Sequence, residues 1–111
     1  MTLGDQQRKF TLMIAKLIEF AYAEGYELSF GDAYRDSRLH GAFGEKKAYG
    51  AAKSFHKTRL AVDFNLFKHG QYLAQTKDHE PLGEFWESIG GTWGGRFKQA
   101  DGNHYSLGEG R

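Results

Sequence analysis

The sequence predicts an α+β fold, a small antiparallel sheet with flanking helices, and three observations support it. Apolar residues recur at helical spacing near the N-terminus and again around residues 81–89. They alternate at strand spacing around residues 60–67. A Lys68-His69-Gly70 turn then links that strand to a second short apolar run.

From about Asp5 to Glu24, Phe10, Met13, Ile14, Leu17, Ile18 and Ala21 form one apolar stripe between charged residues, and Gly25 is placed to stop the helix. Tyr26 to Tyr34 alternates as a strand that delivers Arg35 at its end. Asp36 to Lys53 has weak periodicity and several glycines and reads as a long loop with room for a helical turn; long loops in small domains are often functional. Leu60 to Phe67 is rich in β-branched and aromatic residues, as strands are. It is followed by the hairpin turn, with His69 exposed in it, and by the short strand Gln71-Tyr72-Leu73. Pro81 suits the first turn of a helix running to Ile89, with Leu82, Phe85, Trp86 and Ile89 as its buried stripe and Gly90 as its stop. Trp93 sits among glycines, and Asn103 to Leu107 forms a last strand bearing His104. There is no repeat, linker or low-complexity segment.

The 111 residues predict one domain, 1–111, large enough for a core but too small for a catalytic domain plus a separate binding module. A net charge of +1 provides no field to recruit nucleic acid or an anionic membrane, and Lys46-Lys47 and Arg96 to Lys98 read as solvated loop charges. Without cysteine there is neither a disulfide framework nor a thiolate metal site, so a bound metal must use histidine and carboxylate. The N-terminus lacks the pattern of a secretory signal, and no apolar run approaches the roughly 20 residues of a membrane span. Synthesis in the cytoplasm without stable membrane association is the expectation. Glycine, at 15 of 111 residues, is about twice its usual ~7 %. It concentrates between Gly41 and Gly50 and between Gly90 and Gly102, which points to irregular, site-forming loops.

The chemistry centres on Asp63. On the expected strand, Ala61, Asp63 and Asn65 share one face, while Leu60, Val62, Phe64 and Leu66 share the other. One face packs, and the other is left for chemistry. An ionised carboxylate inside a strand must neutralise, pair or bind a metal. The bland alternative is pairing with lysine or arginine. His56, seven positions before, and His104, in Asp101-Gly102-Asn103-His104, favour the metal. A catalytic zinc needs three protein ligands and an open position, and histidine, aspartate and histidine suffice. Asp101, three residues before His104, is placed to act as a base through a tight Gly-Asn turn, although by spacing alone an Asx-turn role is the better reading.

These residues resemble the zinc D-Ala-D-Ala carboxypeptidases and dipeptidases of the VanY and VanX type, together with phage L-alanyl-D-glutamate endopeptidases. The pattern of that family, Ser-x-His, six residues, Asp, then an acidic residue three positions before a second His, reads here as Ser54-x-His56, Asp63 and Asp101-x-x-His104. Asp32-Ala33-Tyr34-Arg35 and Trp93-Gly94-Gly95 also look like that family, so the resemblance spans roughly Tyr26 to Leu107. It implies a hedgehog-like or D-Ala-D-Ala-peptidase-like single zinc peptidase domain. It further implies that His56, Asp63 and His104 hold zinc, that Asp101 is the general base and later the general acid, and that Arg35 steadies substrate or oxyanion with Ser54 beside it as a hydrogen-bonding residue. The bland readings are a surface ion pair with Asp32 or Asp36 for Arg35 and a turn residue for Ser54.

Two departures stand out. Arg59 occupies a position usually taken by glycine, which at a positive φ would cost about 1 kcal/mol or more. Asp101 stands where many carboxypeptidases of the family have Glu, which resembles the phage endopeptidase branch more closely.

The resemblance implies zinc-dependent cleavage of the peptidoglycan stem peptide by a monomer. The leading activity is that of a phage or prophage L-Ala-D-Glu endopeptidase, released from the cytoplasm to act on the cell wall. A D,D-carboxypeptidase is the alternative enzyme, and a non-catalytic zinc module binding wall peptide or a protein is the alternative outside enzymes. His40 is expected to be exposed in the long loop, and His79 to help cap the helix begun at Pro81.

Overall fold

The structure is a computed structural model and describes residues 1–31 and 60–108. The first helix, α1, spans Leu3–Ala23. It starts two residues earlier than its apolar stripe suggests, because Thr2 and Asp5 form a reciprocal capping box that satisfies backbone donors the first turn leaves open. Phe10, Met13, Leu17 and Ala21 are its buried face, and Ile14 and Ile18 flank that face.

Strand β1, Tyr26–Phe30, follows, and residues 32–34 of the expected strand lie outside the described residues. Strand β2, Ala61–Lys68, turns through His69 and Gly70 into β3, Gln71–Leu73. Both turn residues have positive φ, 52° and 77°, as a tight two-residue hairpin requires. His69 is exposed there, as expected. A short 3-10 helix, η1 (Thr76–His79), leads into α2, Glu80–Ser88, with Pro81 in its first turn. Strand β4, Thr92–Trp93, a 3-10 turn at Gly94–Arg96 and β5, His104–Ser106, complete the described chain.

All strand pairings described are antiparallel, in the order β1-β2-β5-β4, with β3 also on β2. The expected division of β2 holds. Val62, Phe64 and Leu66 lie in the core between sheet and helices, while Asp63 and Asn65 on the other face are only partly buried. The core is closed by Trp86 of α2, which meets Phe10 and Tyr105 edge-on with centroids 5.9 and 6.1 Å away. Its indole N–H is shared between the carbonyls of Ser106, at 2.9 Å, and Thr92, at 3.1 Å. One side chain thus anchors α2 to both β4 and β5. Among the described residues, no helix is long and apolar enough to cross a membrane.

Two elements depart from the sequence reading. η1 falls in a polar stretch with no periodic signal, and β4 is two residues among glycines. Arg96, expected as a solvated charge, is exposed, and it also makes two 3.1 Å contacts to the Glu87 carboxylate and lies over the Trp93 ring.

Candidate metal centre and active site

The β2–β5 ladder sets the site. Residues 61–63 pair with 104–106, so Asp63 stands directly opposite His104. Facing residues of an antiparallel pair project to the same side with Cβ atoms about 4.5–5.5 Å apart. His104 Nδ1 and Asp63 Oδ1 are 3.4 Å apart, with the imidazole side chain 1 % and the carboxylate side chain 13 % exposed.

That separation exceeds the usual N–H···O length of about 2.9–3.0 Å. It matches the spacing of about 3.4 Å that a tetrahedral zinc imposes on adjacent ligands bound at about 2.0–2.2 Å. The donor set agrees: an imidazole nitrogen and a carboxylate oxygen, in a chain without thiols. The two residues therefore fit a zinc ion. Among the described residues no third His, Asp or Glu joins them in a ligand-like group. The third ligand expected from the sequence, His56, lies outside the described residues, as do Arg35, Ser54, Arg59, His40 and the 36–53 loop.

Asp101 lies at the start of the turn that precedes β5. Residues 102 and 103 form that turn, with the His104 N–H donating to the Asp101 carbonyl at 3.1 Å. The Asn103 carbonyl accepts from the Phe64 N–H at 3.0 Å, tying the turn back to β2 beside Asp63. On its other side, the Asp101 N–H donates to the Gly94 carbonyl at 2.9 Å. A Cβ on Gly94 would lie 2.2 Å from the Asp101 carbonyl oxygen and 2.7 Å from His104 Cβ, so only glycine fits where the 94–96 turn crosses the 101–104 run. The glycine cluster noted in the sequence thus has a packing function here.

Two neighbours of this arrangement escaped the sequence reading. Phe97 sets its ring against His104, with centroids 5.4 Å apart, and so forms one wall of the imidazole's enclosure. His79 occupies the position before α2 but caps nothing with its side chain. It is 2 % exposed, and its Nδ1 lies 2.8 Å from the Tyr105 hydroxyl. The expectation that it caps the helix is therefore wrong, because its partner lies 26 residues away in β5.

Burial pushes the His79 imidazole down to about 4 from an ordinary 6.5, against the opposing pull of the Asp78 and Asp63 carboxylates. Burial also raises the Tyr105 hydroxyl well above its ordinary range. His79 is thus neutral at physiological pH in the fold. Between pH 6.5 and 4 the unfolded chain takes up a proton that the native chain refuses, so stability falls as pH falls through that window. The expected loss between pH 7 and 4 is about 3 kcal/mol. Urea unfolding in chelator will read it, and His79→Phe is expected to flatten the slope; an equally steep slope in that variant would assign the effect elsewhere.

A family profile described as D-alanyl-D-alanine carboxypeptidase matches residues 48–107, more than half the chain. The chain belongs to the D-alanyl-D-alanine carboxypeptidase family. It is accordingly a peptidase by family, and the matched span contains Ser54, His56, Asp63, Asp101 and His104 but not Arg35. Among solved structures, the fold is similar to that of the Serratia marcescens L-Ala D-Glu endopeptidase ChiX, with a TM-score of 0.66 at 16 % identity over 95 % of this chain and 85 % of that one. No curated protein matches the chain. The α+β fold expected from the sequence is that of this structural neighbour.

Proposed function

We propose that residues 1–111 form one zinc peptidase domain that hydrolyses a peptide bond in the peptidoglycan stem peptide, with L-alanyl-D-glutamate endopeptidase as the leading specificity. The observation that carries this reading is the register pair Asp63–His104, whose facing donor atoms are 3.4 Å apart. His56 would join them to hold zinc, which when bound supplies Lewis-acid activation of water near neutral pH. Asp101 takes a proton from the attacking water and returns it to the leaving amine nitrogen as the C–N bond breaks. Arg35 steadies the developing negative charge or the substrate carboxylate, a task suited to a planar fixed cation, and Ser54 hydrogen-bonds beside it. The enzyme acts as a monomer at the cell wall, as a phage or prophage endolysin does.

Two features support the endopeptidase specificity: aspartate rather than glutamate at 101, and the fold shared with ChiX, whose printed activity is L-Ala D-Glu endopeptidase. The family description favours a second reading, D-alanyl-D-alanine carboxypeptidase. Digestion of purified sacculi, with mass spectrometry of the fragments, separates them. New N-terminal glutamate supports the endopeptidase, and free D-alanine supports the carboxypeptidase. Intact sacculi with zinc tightly held would leave a non-catalytic wall-binding module.

Metal removal provides a further test. Because metal binding adds directly to folding free energy, chelator is expected to lower the melting temperature as well as the activity. An unchanged melting temperature would argue against a metal at this pair.

A further inference from the structure

The turn carrying Asp101 is held from beneath by η1, an element that supplies no residue to the site. The Gly102 N–H donates to the Thr76 hydroxyl at 3.2 Å, and the Gly102 carbonyl accepts from the buried Trp93 indole at 2.7 Å. The peptide joining Asp101 to Gly102 is therefore gripped at both ends, since its carbonyl also accepts from the His104 N–H. Gly102 sits so close to η1 that a Cβ would meet the Thr76 Cα at 2.5 Å. The far end of η1 is fixed independently, where His79 meets Tyr105. η1 thus touches the run on both sides of His104. Its own start is closed by the Gln75 N–H on the Asp78 carboxylate at 3.1 Å and the Asp78 N–H on the Gln75 carbonyl at 3.0 Å.

We propose that Thr76 is a positioning residue for this enzyme: its hydroxyl, together with the Trp93 indole, fixes the peptide planes around Gly102 and so sets where the Asp101 carboxylate points. The hydroxyl touches no substrate and acts only through Asp101, so the proposal rests on the reading of Asp101 as the proton-transfer group. Proton transfer is sensitive to displacements well under a hydrogen-bond length, which makes a rigid seat for the base worth having.

Thr76→Val keeps the side-chain shape and deletes the hydroxyl, whereas Thr76→Ser keeps the hydroxyl. In Thr76→Val, kcat on sacculus fragments is expected to fall about tenfold, the equivalent of one lost hydrogen bond. KM and zinc content should stay at wild-type values, and Thr76→Ser should restore kcat. On the metal-free protein, the Gly102 amide should exchange about tenfold faster in Thr76→Val. That change should revert in Thr76→Ser. Unmoved exchange, or a loss of kcat that Thr76→Ser fails to restore, would overturn the proposal. Wild-type protein that leaves every wall peptide intact would instead remove the peptidase reading, and the exchange measurement would still decide whether Thr76 seats the turn.

Discussion

Asp101→Asn is expected to lower hydrolysis of wall peptide by about 10²- to 10⁴-fold while leaving zinc content and fold unchanged. The amide keeps the size of the carboxylate and loses its capacity to take a proton. His104→Ala is expected to lose metal and activity together, because it deletes one half of the Asp63–His104 pair. The contrast between the two variants separates proton transfer from metal binding. Asp101→Asn with activity within a few-fold of wild type would remove the general base from the mechanism and return Asp101 to the role of a turn residue.

The second large effect is expected in the core. Trp86→Ala should destabilise the protein by about 3–5 kcal/mol, a large share of the 5–15 kcal/mol typical of a whole domain. Trp86 is fully buried, packs edge-on against Phe10 and Tyr105, and donates its indole N–H to two strands. Its removal leaves a cavity and takes the indole donor from two carbonyls. Urea unfolding of the metal-free chain measures this directly; Trp86→Phe, which keeps most of the volume, should cost distinctly less. A loss under 1 kcal/mol for Trp86→Ala would show that α2 does not depend on this anchor.

The elements that sequence reading placed well are those whose signal is periodic. The stripe of α1, the alternation of β2 and the Leu82–Trp86 face of α2 each reflect burial repeated at a fixed spacing. Thr2 as the helix cap was also available in the pattern Thr-x-x-Asp, but the apolar stripe alone begins later and draws attention from it. η1 and β4 carry no such signal: one is a single polar turn, and the other is two residues bounded by glycine. The buried His79 pairs with a tyrosine in β5, and nothing local to Thr76–His79 announces it.

The site divides in the same way. Residue types and spacing single out Asp63 and His104, because a carboxylate on a strand face and a histidine beyond a tight turn are chemically unusual; Asp101 stands out only through the family resemblance. That Asp63 faces His104 across one rung is a property of strand pairing, which no one-dimensional pattern contains. The support beneath the turn, from Thr76, Trp93 and Gly94, is equally non-local.

The Asp63–His104 rung has a corollary for how this chain matures. Shifting β5 by a single residue along β2 would send the carboxylate and the imidazole to opposite surfaces, since side chains alternate strictly. The same slip would turn the buried Tyr105 out of the core, so a misaligned molecule would lose packing and chemistry together. Affinity for a metal ion at this pair would therefore report correct zippering, and an ion captured during folding would act as a latch that rejects the offset pairing.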